Sequence, residues 1–337
     1  MNVIVRSLVF LFILLFSPNL LFTTEPAEQS SVVIKMATLA PSGSPWHENL
    51  KEIAAEWNRI SGGTVTLRIY PDGVAGDEAD MVRKIRIGQL HGAMITNAGL
   101  SRIVTEANAL TIPLAVDSWE SLDRVRNVLK PKLEKLLEAQ GIVVLNWGDG
   151  GWVRFFVSNP DVSVKTVQKA KLFVWSSDDG TADLWKASGF NAIPLSSTDI
   201  LPGLQTGMIN AYNTTATVAL ASQWFPFTPY MIDMPWAPLI GVTVVNKNTW
   251  DKIPPSMRPE LKRIAEDAMQ RLQKEVRKMD EQAVSEMQKR GLKVIKLRDD
   301  QYKEWQNVAK ASYSKIRGTL IPDQWFDDAM QAAKGGK

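Results

Sequence analysis

The chain has 337 residues, a formal net charge of +3, 22% charged and 45% hydrophobic residues, and no cysteine. That length can form two ordinary domains with real cores. Its Lys and Arg are dispersed rather than gathered into a basic face, which argues against nucleic-acid binding. The lack of cysteine excludes disulfides, thiolate metal sites, a cysteine nucleophile and a lipoprotein anchor.

Arg6 followed by the apolar run "SLVFLFILLF" reads as a signal peptide over 1–27, with an uncleaved membrane anchor as the alternative. Export of a cysteine-free chain of this size fits a bacterial periplasm. "SVVIKMATLAP" reads as a strand, and Ser44 with Pro45 starts a helix in which Trp46, Leu50, Ile53 and Trp57 recur at helical spacing. "SGG" at 61–63 stops that helix. "TVTLRIY" alternates as a second strand, "DEADMVRKIRIG" forms a second helix, and "GAMITNAG" is a buried third strand. Strands alternating with helices at this spacing predict a parallel sheet with right-handed crossovers.

The pattern recurs further along. "SWESLDRVRNVLKPKLEKLLEAQG" is helical around Pro131, and "IVVLNW", "WVRFFVSNP" and "KAKLFVW" read as three strands. "GTADLWKASGF" and "TDILPGLQTGM" read as helices on either side of a short strand, "NAIPLS". "INAYNTT" and "GVTVVNKNTW" add two strands with polar ends. From 257 to 291 one amphipathic segment carries Leu261, Ile264, Ala268, Leu272, Val276, Met279, Ala283 and Met287 on a single stripe. Some thirty residues at 1.5 Å rise reach about 45 Å, more than one small domain, so the helix should lie across two. Two shorter helices close the chain. Two α/β lobes with a crevice between them suit a hinged binding protein, and equally an enzyme with its site in the cleft.

Catalytic chemistry finds little support. The only histidines, His47 and His91, lack metal-ligand spacing, and "GDGGWV" lacks the spacing of a phosphate loop. No G-x-S-x-G elbow is present, so no enzyme, cofactor or metal is expected. The twelve tryptophans are the unusual feature. Trp46, Trp147, Trp152, Trp175 and Trp236 fall at strand ends or in the adjoining turns, where ligands of open α/β sheets sit. Either they fill cores or they line a mostly apolar pocket.

Five stretches carry a family resemblance over nearly the whole chain: "IKMATLAPSGSPWHENLKEIAAEWNRISGGTVTLRIYPDG", "MVRKIRIGQLHGAMI", "GWVRFFVSNP", "LQTGMINAYNT" and "VVNKNTWDKIPP". In this order they resemble the substrate-binding subunits of tripartite ATP-independent periplasmic (TRAP) transporters, the DctP family. The resemblance implies an α/β, two-lobed, type II-like periplasmic binding protein with a long helix spanning both lobes. It implies delivery of a small-molecule ligand to TRAP membrane permease subunits, and for one subgroup a tetratricopeptide-repeat periplasmic partner. In that family a strand of pattern K-[IL]-R-V supplies an arginine that clamps the substrate carboxylate. Here "KLFV" places Phe173 in that position. Losing one charge-assisted bond forfeits roughly 1.5–3 kcal/mol, and phenylalanine offers only apolar surface. A D-G-x-E-N run is replaced by Asn210, Ala211, Tyr212, Asn213 and Thr214, while Arg154 matches a second family arginine.

The resulting expectation is a periplasmic protein that closes around an apolar or amphipathic molecule. Trp152, Phe173, Trp175 and Trp236 would supply contact area, and Arg154, Tyr212, Asn213 and Thr214 polar contacts. Two alternatives are an organic acid held by Arg154 alone, or a sensory or scaffold module docking on a protein. The expected organisation is lobe I from 32–151 plus 241–279, lobe II from 152–240 plus 280–300, C-terminal helices over 301–337, and hinge strands near 150–154 and 239–243.

Overall fold

A computed structural model describes residues 31–176 and 179–335. The expected signal peptide over 1–27 lies outside these residues. In chain order the elements are β1 (Val32–Thr38), α1 (Pro45–Ile60), β2 (Val65–Tyr70), α2 (Glu78–Arg86), β3 (Gly92–Thr96), α3 (Asn97–Ser101), α4 (Trp119–Ala139) and β4 (Ile142–Val157). Then come α5 (Val164–Lys169), β5 (Leu172–Trp175), α6 (Asp179–Ala187), β6 (Ala192–Leu195), α7 (Ile200–Gln205), β7 (Ala211–Thr215) and α8 (Ala216–Ala221). The last are β8 (Tyr230–Ile232), β9 (Ala237–Asn246), α9 (Lys247–Trp250), α10 (Arg258–Lys289), β10 (Lys293–Ile295), α11 (Asp299–Ile316) and α12 (Asp323–Lys334).

One sheet runs β2-β1-β3-β9-β4-β7-β5-β6, with β8 pairing both β4 and β10. β1 pairs in parallel with β2 and β3, as the alternation of strands and helices requires. The start of α1 follows the chemistry of its first residues: the Ser44 hydroxyl accepts from the His47 N–H, and Pro45 occupies the first turn. Gly62 and Gly63 adopt positive φ just past its end.

Three sequence expectations change. "IVVLNW" and "WVRFFVSNP" are not two strands but one, the 16-residue β4, which ends at Val157. The glycines between them read as a turn, yet they let the strand run on through an irregularity between Asp149 and Gly151. Gly151 has a φ of 107°, accessible mainly to glycine, and a Cβ on Gly148 would meet the Met269 thioether. "GAMITNAG" ceases to be strand at Thr96, whose hydroxyl accepts from the Ala98 N–H and so caps α3. "TDILPGLQTGM" keeps α-helix only over α7.

β4 and β9 pair antiparallel from Ile142 opposite Asn246 to Val153 opposite Ala237. β9 also pairs with β3, and the far end of β4 with β7 and β8. These two strands therefore join the β2-β1-β3 half of the sheet to the β7-β5-β6 half. α10 joins the same halves a second way. Its 32 residues reach about 48 Å at 1.5 Å rise. Leu261 to Val276 pack with Leu50, Ile53 and Trp57 of α1, whereas Ala283 and Met287 pack with Phe156, Phe173 and Tyr212.

Between those two stretches the buried stripe of α10 is interrupted by Asp280, 2% exposed. Its carboxylate meets Arg154 Nη1 at 2.5 Å. A buried carboxylate needs such a partner, and removing one member of a buried pair costs about 3–5 kcal/mol. We expect Asp280→Ala to lower the unfolding free energy by that amount in urea melts. A loss under about 1 kcal/mol would show that Arg154 is solvated without its partner.

Candidate functional site

The strand ends and turns of both halves face a cavity of about 650 Å³, within the range of about 300–1,000 Å³ typical of small-molecule sites. The turn after β1 contributes Thr38 to Pro41, and the first turn of α1 contributes Trp46. β5 delivers Phe173 and Trp175, β7 delivers Asn213 and Thr214, and the start of β9 follows Trp236. The strand "KAKLFVW" thus presents its two aromatics at the cleft, with ring centroids 5.7 Å apart and nearly edge to face. Phe173 is otherwise core, 2% exposed.

Five of the eight expected site residues line the cavity: Phe173, Trp175, Asn213, Thr214 and Trp236. The other three do not. Trp152 is 7% exposed and lies against Trp119 at 4.8 Å, and Trp119 in turn receives the Arg277 guanidinium at 4.7 Å. Tyr212 is wholly buried, stacked on Phe156 at 5.1 Å and edge-on to Trp224 at 5.5 Å. Burial pushes its hydroxyl's pKa well up. Arg154 shares a strand with the site but turns its guanidinium to Asp280. Alternation along β4 turns Trp152 and Arg154 away from the face on which Val153 lines the cavity, and the sequence alone does not say which face is the cleft; Tyr212 shares the parity of Thr214 on β7 but packs into the core.

Trp185 and Trp224 also line the cavity. Trp185 has the helical spacing of a packing residue, and it does pack on Phe155 and Phe190, so nothing in its pattern marks the second role. The Trp46 indole donates to the Asp149 carbonyl at 3.3 Å, which fixes one aromatic wall.

The electrostatics are one-sided. Among the described lining residues there is no Lys, Arg or His, while three are acidic: Asp72, Glu78 and Asp149. Each carboxylate is already engaged by the protein. Asp72 accepts from Ser42. Asp149, with a fully buried side chain, meets Arg126 and Arg277 and accepts from Gln273 at 2.8 Å. Glu78 accepts from the Thr96 N–H at 2.6 Å, the Thr96 hydroxyl at 2.8 Å and the Gly99 N–H at 2.7 Å. By contrast, the Asn213 and Thr214 side chains make no hydrogen bond among the described residues. No three His, Cys, Asp or Glu among those residues gather as a metal site would need. No helix among them is long and apolar enough to cross a membrane. Among the described residues the cavity offers aromatic and aliphatic surface with a few neutral hydrogen-bonding groups, and no cation to receive an anion.

Residues 36–318 match the family model described as bacterial extracellular solute-binding protein, family 7 (DctP). The 2,3-diketo-L-gulonate-binding periplasmic protein YiaO of Escherichia coli (strain K12) is 23% identical over 276 residues, covering 80% of each chain. Two solved structures share the fold. The sugar acid binding protein DctPAm of Advenella mimigardefordensis, in complex with galactonate, has a TM-score of 0.84 at 17% identity and covers 91% of this chain and 99% of that one. A TRAP periplasmic solute binding protein of Ralstonia eutropha H16, with bound (S)-2-acetolactate, has a TM-score of 0.83 at 22% identity and covers 90% and 98%.

Glu78 makes the site sensitive to pH. Burial pushes its pKa from 4.5 up to about 7, against the lowering effect of the bonds from Thr96 and Gly99. The folded protein therefore retains a proton that the unfolded chain releases as pH rises above 4.5. The stabilising contribution is complete below that pH and is lost by about pH 7, at most about 3 kcal/mol in all. Urea unfolding between pH 5 and 8 should show this decline in the native protein and not in Glu78→Gln, whose side chain does not titrate. Parallel stability curves would mean that Glu78 is ionised throughout.

Proposed function

Because the chain belongs to family 7 of the bacterial extracellular solute-binding proteins, the DctP family, we propose that it is a periplasmic TRAP-type binding subunit for a neutral apolar or amphipathic molecule. The observation that carries this reading is that no Lys, Arg or His among the described residues lines the cleft. An ionised carboxylate moved from water into apolar surroundings without a partner is strongly disfavoured. Here Phe173 and Trp175 stand at the cleft end of β5, and Arg154 is committed to Asp280. An organic acid held by Arg154 alone would first have to break that buried pair.

In this proposal the lobes comprise 32–151 plus 241–279 and 152–240 plus 280–300, and they close about the strands near 150–154 and 239–243. The Asp149–Gly151 irregularity of β4 supports a hinge there, since local φ/ψ changes in a few strand-end residues suffice for domain closure. The ligand's apolar body lies against Trp46, Trp175 and Trp236. Its polar end is oriented by Asn213 and Thr214, whose hydrogen-bonding capacity is unspent. The closed protein then docks on the TRAP permease and releases the molecule there.

The tryptophans around the cavity make intrinsic fluorescence the natural readout. Titration with a neutral amphiphile such as 1-octanol should saturate, whereas succinate, galactonate and acetolactate should give no saturable signal up to millimolar concentration. Micromolar binding of any of these acids would overturn the reading. Trp175→Ala should weaken octanol binding about 10- to 100-fold, the equivalent of one well-buried aromatic contact. An unchanged affinity would place the ligand away from β5.

A further inference from the structure

Resting on that reading of the cleft, we propose that α11 walls a second compartment of the same cavity, which receives the hydrocarbon tail of an elongated neutral amphiphile. Val308, Ser312 and Ile316 line the cavity at steps of four residues and so form one face of α11. Leu184, Trp185 and Trp236 line it too. The face of α11 offers no free donor of its own, because the Ser312 hydroxyl donates to its own helix, to the Ala309 carbonyl at 2.7 Å.

Hydrogen bonds hold this wall in place. The Tyr313 hydroxyl donates to the Pro113 carbonyl at 2.7 Å, and Lys315 Nζ to the Ala187 carbonyl at 2.6 Å. Asn108 Nδ2 donates to the Leu320 carbonyl at 3.3 Å just beyond the helix. α11 is thereby tied to the loop before α4, to the end of α6 and to the 105–111 segment. Beside the helix, Leu184, Trp185 and Trp236 give the compartment apolar walls, and Asn97 Oδ1, which also lines the cavity, is a buried acceptor with no partner among the described residues.

The cavity is therefore graded. Around β7 it presents the unspent amide of Asn213 and hydroxyl of Thr214, and along α11 it presents aliphatic and indole surface. A compact polar solute would leave the α11 compartment unfilled, whereas a single chain with a polar head satisfies both ends. A carboxylate head would find no Lys, Arg or His among the described lining residues, so the ligand class is a neutral-headed lipid-like molecule such as a long-chain alcohol or monoacyl ester.

A chain-length series tests this. Affinities of 1-alkanols from hexanol to dodecanol are measured by tryptophan fluorescence for the native protein and for Ser312→Leu, Val308→Trp and Ile316→Ala, each first shown to melt cooperatively. In the native protein the affinity should rise about fourfold per added methylene until the compartment is full. Ser312→Leu and Val308→Trp reduce its volume and should stop the rise two or more methylenes earlier. Ile316→Ala enlarges it and should carry the rise further. The same chain-length profile in all four proteins would overturn the α11 assignment while leaving the apolar cleft intact. Absence of alkanol binding by the native protein would instead remove the cleft reading, and this inference with it.

Discussion

A carboxylate withdrawn from water must be met by a cation or by a ring of donors, and in this protein the arginines beside the cleft already serve the protein's own acids. Arg126 and Arg277 converge on Asp149, Arg277 also holds Asp123 at 2.7 Å, and Arg154 holds Asp280. The low dielectric around Asp149 and Asp280 makes these pairs hard to divide, because the member left behind would be an uncompensated buried charge. The cleft therefore inherits neutral chemistry from its own foundations. Its aromatic lining walls a space that no Lys, Arg or His among the described residues reaches.

The same pairs sit where the two halves of the molecule join. Asp149 lies at the irregular step of β4, and Asp280 at the point where α10 passes from one core cluster to the other. Gly151, at positive φ, brings the strand against both the Asp280 carboxylate and Thr215. Strand pairing, helix crossing and charge pairing thus coincide within a few residues. In the proposed closure this short stretch would absorb much of the rotation of one half on the other, while the cores on either side stay packed.

Much of this architecture is legible in the sequence, for identifiable reasons. The helix at 45–60 announces itself through Ser44, Pro45 and its tryptophan and leucine spacing, and the long helix through a long, mostly apolar stripe. The carboxylate of Asp280 stands on that stripe, four residues after Val276 and three before Ala283, and could have been found by asking which stripe position is not apolar. Continuity of β4 is not legible, because its glycines spell a turn until the partner strand β9 is known. Nor are the orientations of Trp152 and Arg154, since a strand shows which residues share a face but not which face meets the cleft. Phe173 and Trp175 were recoverable because the end of a strand, unlike its faces, is marked by the turn residues that follow.

In the proposed function this cleft holds a neutral, largely apolar molecule. The most direct measurement is native mass spectrometry of the protein purified from its periplasm, with organic extraction and identification of what it carries. The account predicts a neutral lipid-like or amphipathic molecule at close to one per chain, released on unfolding. A stoichiometric sugar acid or dicarboxylate would contradict it, and would require a cation to enter the cleft that the present arrangement of Arg126, Arg154 and Arg277 withholds.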